Sequence, residues 1–97
     1  MSSGVDPQDK ADLIERFLAG DGRERKALLK ELAPHLERDD VVRIAPALRD
    51  PSPRIAARIT SLLARHELEE ELEKNLVGLK PGKIALLRAA FARVRDG

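Results

Sequence analysis

Three short segments of this 97-residue chain, Arg25-Lys26-Ala27-Leu28, Arg54-Ile55-Ala56-Ala57 and Lys83-Ile84-Ala85-Leu86, recur in register at an interval of 29 residues, each preceded by a turn. A helix-pair unit of that size cannot bury its apolar face alone. Copies must stack and share one continuous core, and about three copies is the smallest stack that holds together. The repeat therefore selects an all-α, solenoid-like architecture before any single residue is weighed.

The segments between turns have the matching spacing. Turn signals at Asp21-Gly22, Arg38-Asp39-Asp40, Asp50-Pro51-Ser52-Pro53, Arg65-His66 and Gly78-Leu79-Lys80-Pro81-Gly82 cut the chain into pieces of 9 to 15 residues. Apolar residues return every three or four positions: Leu13, Ile14, Phe17 and Leu18 in the first piece, Leu28, Leu29, Leu32, Ala33 and Leu36 in the second, Val41, Ile44, Ala45 and Leu48 in the third. Ile55, Ile59, Leu62 and Leu63 continue the pattern in the fourth, Leu68, Leu72 and Leu76 in the fifth, and Ile84, Leu87, Phe91 and Val94 in the sixth. Good helix formers fill the pieces, and no alternating β-branched or aromatic stretch competes. Six helices in three antiparallel pairs are expected.

Boundaries follow from side-chain chemistry. Asp6-Pro7 and Ser52-Pro53 each set an acceptor before a proline, whose missing N–H costs nothing at the first helical position; Asp50 is the alternative cap if the fourth helix begins earlier. Pro34 and Pro46 fall inside helical pieces. The second helix is therefore expected to stop near Ala33 and the third to bend before Leu48.

A chain this long buries between about 60 and 70% of its unfolded surface, enough for one modest core. We expect a flexible segment at 1–5 and a single helical-repeat domain at 6–97, with pairs spanning about 6–37, 39–65 and 67–95. Without cysteine there is neither a disulfide framework nor a thiolate zinc site. The apolar runs are a few residues long and Met1 to Pro7 lacks a basic region followed by a hydrophobic one, so neither a signal peptide nor a membrane span is expected and a cytoplasmic setting follows.

The stretch from Leu48 to Leu63 resembles the turn and second helix of a HEAT repeat, in which an Asp-Pro turn is followed by an aliphatic and a basic residue, then an alanine and a leucine. Asp50, Pro51, Ile55 and Leu62 fit, whereas Ala56 stands at the basic position, with Arg54 and Arg58 on either side, and Ile59 replaces the alanine. Asp21-Gly22 and Pro81-Gly82 stand at the corresponding turns of the other two pairs, which keep the hydrophobic spacing alone. The resemblance implies a right-handed stack of antiparallel helix pairs that binds other macromolecules, usually proteins and sometimes nucleic acid. A second reading is a helix-turn-helix at 40–65, with a recognition helix from Ser52 that carries Arg54 and Arg58 in its N-terminal half. A winged version of that motif continues into a β-hairpin, and this chain continues into the acidic, helical run Glu67 to Lys74.

Charge is nearly balanced, 18 Lys and Arg against 17 Asp and Glu, but it is segregated: residues 1–40 are net acidic, 41–65 basic, 66–74 acidic and 75–97 basic. Within the first basic block Arg54, Arg58 and Arg65 fall within roughly 40° of one another on one helix. Such a stripe either grips phosphates or a partner's carboxylates, or is a solvated face whose heads pair with the acidic fifth helix. On the sixth helix Arg88 and Arg95 lie together, and Leu86, Ala89, Ala90 and Ala92 broaden the apolar arc beyond the main stripe, which makes Leu86 and Arg88 further binding candidates and the C-terminal edge a surface for self-association. Stacking on nucleic-acid bases is disfavoured because Phe17 and Phe91 both sit on core-facing stripes. The glutamates at 67–73 spread around a helix and do not converge as a metal cage does, and His35 and His66 read as helix-end residues. No nucleophile, base and oxyanion donor stand together. We expect no enzyme activity, cofactor or metal, but a scaffold module for a protein partner with an acidic or amphipathic segment, with nucleic acid as the alternative.

Overall fold

The computed structural model describes residues 7–97; the expectations for residues 1–5 and for an Asp6 cap lie outside them. Six α-helices follow in order, α1 (Pro7–Ala19), α2 (Gly22–Leu32), α3 (Arg38–Ile44), α4 (Pro53–Arg65), α5 (Glu69–Leu76) and α6 (Pro81–Asp96), with no strand among the described residues. The fold is all-α, as the periodicity requires.

The two internal prolines do not kink their helices. Each sits in a 3-10 segment, Ala33–His35 after α2 and Ala45–Arg49 after α3, so the chain tightens where proline removes a donor. The third helix thus changes character at Ala45 instead of bending just ahead of Leu48. Asp21 caps α2, accepting the Glu24 N–H at 2.9 Å, and Ser52, not Asp50, caps α4 by accepting the Ile55 N–H at 3.5 Å. At its other end α4 closes in a Schellman motif: Leu68 N–H donates to Leu63 C=O at 2.8 Å, Glu67 N–H donates to Ala64 C=O at 3.1 Å, and Glu67 takes the left-handed conformation at φ 56°.

Nearly every stripe residue named from the sequence is buried or half-buried in one contiguous core, and Ile14, Phe17, Leu29, Leu32, Ile44, Leu48, Ile59 and Leu63 have no exposure at all. Helix α4 is the hub. It packs most extensively on α6 and also touches α2, α3 and α5, while α1 packs on α2 and α5 packs on the 3-10 segment that follows α3. The shortest dimension of the 45 × 29 × 18 Å molecule is about two helix diameters, so every helix keeps a solvent face.

Polar ties join what the core assembles. Arg25 donates to the Phe17 and Leu18 carbonyls at the end of α1, at 3.0 and 2.8 Å, and to the Asp50 carboxylate at 2.7 Å. Asp50 also accepts the Ser52 N–H at 2.8 Å, and its backbone carbonyl accepts the Lys83 ammonium at 3.0 Å, so one loop links α1, α2, α4 and α6. Lys10 bonds Asp40 at 2.8 Å between α1 and α3.

Candidate functional site

The N-cap at Ser52 and the burial of Ile55, Ile59, Leu62 and Leu63 fix the rotation of α4 about its axis. That rotation turns Arg54, Arg58 and Arg65 outward, all three exposed, along about 16 Å of helix. The sequence placed these three on one strip, and the structure gives the strip a second wall: Lys26 and Lys30 of α2 line the same groove, one turn apart. Its N-terminal half is bounded by Lys26, Lys30, Arg54 and Arg58 over a floor of Leu29 and Ile55. Its C-terminal half is bounded by Arg58, Ser61 and Arg65 over Ala33, Ala57 and Leu62.

Five cations thus line one groove, and none forms an ion pair with a carboxylate of the described residues. The alternative that the α4 arginines pair with the acidic fifth helix does not hold. That helix is used by α6: Arg88 forks onto Glu73 at 2.6 and 3.0 Å, and Arg95 meets Glu69 at 3.3 Å. The two pairs run in opposite order along the chain, so α5 and α6 lie antiparallel. The Arg88 fork holds the Glu73 carboxyl below the usual glutamate range and raises the Arg88 guanidinium in turn.

Of the five binding candidates named from the sequence, the structure therefore brings Arg54, Arg58 and Arg65 together and sets Arg88 apart on α6 against Glu73. Leu86 is 71% exposed on α6, with Val77, at 68%, the other large apolar side chain left in solvent among the described residues. Lys26 and Lys30 went unnoticed in the sequence; their signal was a pair at helical spacing on the face of α2 opposite Leu28 and Leu32, but nothing local says which helix that face meets.

The 29-residue register of the sequence sets Arg54 beside its counterparts on the other even-numbered helices. Arg25, Arg54 and Lys83 share a register position, and Asp21, Asp50 and Leu79 share another. Arg25 and Lys83 both turn onto the Asp50 loop, whereas the third residue of the acceptor series, Leu79, offers no carboxylate. A second depression, lined by Arg38 and Glu67 to Glu71, lies at the turn from α4 to α5 and is opposite in sign. Among the described residues, no group of three carboxylates or histidines is arranged to hold a metal ion. No known protein family matches the chain, and neither does any curated protein or solved structure.

Proposed function

We propose that this chain is a cytoplasmic, non-enzymatic interaction module of HEAT-like architecture that receives an acidic or amphipathic segment of a partner protein in the α2–α4 groove. What carries the reading is the concentration of five cations without a carboxylate partner among the described residues in one groove over an apolar floor, Lys26, Lys30, Arg54, Arg58 and Arg65, whereas Lys10, Arg25 and Arg88 are taken up by Asp40, Asp50 and Glu73. Guanidinium forks match carboxylates bidentately, and the apolar floor of the groove offers contact area beneath them. The register of the three pairs and the two-helix thickness support the HEAT-like stack.

Binding to a phosphate backbone is the second reading, favoured by the single sign of the groove. Two observations weigh against it. Helix α4 is flanked by α2 and α6, leaving only a strip exposed, so it does not stand proud as a recognition helix must to enter a major groove. Phe17 and Phe91 are both buried, which leaves no aromatic platform for bases.

The test is fluorescence anisotropy with a labelled glutamate-rich peptide and a labelled DNA duplex, for the wild type and for Arg54→Glu/Arg58→Glu/Arg65→Glu. The peptide should bind the wild type near physiological salt and lose about tenfold or more in the variant, with the far-UV circular dichroism unchanged. A duplex bound in preference, with affinity falling steeply with salt, would move the assignment to the second reading.

A further inference from the structure

The two halves of the groove are built differently, and the difference specifies an occupant. At the N-terminal half Lys26 and Lys30 face Arg54 and Arg58 across the α2–α4 valley, a four-cation cradle with no carboxylate of the described residues paired to it. The C-terminal half carries fewer charges. There Ala33, Ala57 and Leu62 line an open apolar notch beside Ser61, and two of the three have no side chain beyond Cβ. Cradle and notch are centred about five residues apart along α4, close to 8 Å.

We infer that the groove, on the interaction reading above, is specific for a protein segment that pairs two or more neighbouring carboxylates with one aliphatic or aromatic side chain about 8 Å further along. The carboxylates neutralise the cradle, and the apolar side chain fills the notch lined by Ala33, Ala57 and Leu62. Each half alone is weak. Exposed ion pairs contribute little and are screened by salt, and a single apolar contact on an open surface buries little area. Both halves engaged by one segment add their contributions without a second loss of translational freedom, so the fixed spacing becomes the selection rule. The same arrangement discriminates against a phosphodiester backbone, which supplies charge at every step but presents no aliphatic group to the notch.

Three short labelled peptides decide the matter: one with an acidic pair and a leucine at the stated spacing, one with that leucine replaced by serine, and one with the acidic residues replaced by glutamine. The first should bind the wild type about tenfold more tightly than the second, and the third should not bind. Ala57→Leu fills the notch from the protein side at an exposed position with a good helix former. It should remove the advantage of the leucine peptide while leaving the serine peptide as it was; Lys26→Gln/Arg54→Gln should weaken both. Equal binding of the leucine and serine peptides by the wild type overturns the notch and its spacing rule but leaves the basic groove as an acidic-segment site. Absence of binding to all three peptides, whether or not a duplex binds, overturns the interaction reading beneath it as well.

Discussion

Asp50 is the residue on which the most separate pieces of chain depend. Its side chain is 5% exposed and its two oxygens are divided between Arg25 and the Ser52 N–H, while its carbonyl holds Lys83. Burial alone would raise its carboxyl. The Ser52 N–H, the single Arg25 hydrogen bond with its charge, and the nearby Lys83 charge outweigh that and hold it below the usual aspartate value. A carboxyl lowered by folding contributes stability above its unfolded value, near pH 3.9, and that contribution is lost as pH falls through the folded value. Asp50→Ala should therefore cost about 2 kcal/mol at neutral pH, because it leaves a largely buried guanidinium and an N–H without their acceptor. Urea unfolding from pH 7 down to about pH 2 checks this: the gap between wild type and variant should narrow in acid, and a constant gap would show that Asp50 acts by shape and not by charge. Arginine serves a related purpose elsewhere. Arg38 donates to the His66 carbonyl past the end of α4, and Arg49 donates to the Val77 carbonyl past the end of α5 at 3.0 Å, so three helix ends, with that of α1, have orphan carbonyls satisfied by an arginine from another element.

At the scale of the element, the end of α4 holds an identifiable strain. The Schellman closure puts C′ in the left-handed region, where glycine is the usual occupant, and here the position is Glu67. Glu67 is exposed and forms no ion pair among the described residues, so its side chain gains nothing that offsets the backbone. Glu67→Gly should stabilise the protein by about 0.5–1 kcal/mol, net of the entropy glycine adds to the unfolded chain, read as a higher urea midpoint at unchanged slope. A lower midpoint would mean that a contact of Glu67 outweighs the strain. The same turn shows where sequence reasoning stops. The stripes of α3 and α4 are legible because period 3.6 and burial are the same constraint seen twice, and Val41, Ile44, Ile55, Ile59 and Leu63 are all buried as their spacing demands. Positive φ at Glu67 is not legible, since no glycine or asparagine marks it. The stop of α2 near Ala33 is legible from Pro34, but the outcome at Pro46 is not, because proline excludes a regular helix without choosing between a kink and a 3-10 turn. The groove was half legible for the same kind of reason. Periodicity places Arg54, Arg58 and Arg65 on one strip of α4, but pairing Lys26 and Lys30 with them depends on which helices become neighbours, a property of the packed chain.

For the whole molecule the decisive fact is that six helices share one core with no helix to spare. In a long repeat array, removal of a terminal pair costs one interface and leaves the remainder folded. Here α6 is the most extensive contact of the central helix α4 and brings Leu87 and Phe91, 6% and 3% exposed, into the cluster that also contains Ile59 and Leu63. Burial of two such side chains is worth about 1.5–3 kcal/mol each, and the exposed face of α4 loses packing besides, while a domain of this size has only about 5–15 kcal/mol in total. Loss of α6 also removes Lys83 from the Asp50 loop, which loosens the tie to α1 and α2 at the far end. A chain ending at Leu79 should therefore lose its cooperative urea transition and much of its helical circular dichroism, instead of behaving as a shorter stable stack. A sharp transition within about 1–2 kcal/mol of the full chain would show that the pairs fold nearly independently. The same ties hold the walls of the α2–α4 groove in register: α2 is joined to α4 directly and through Arg25 and Asp50, so the spacing of cradle and notch is set by the packed fold and not by either helix alone.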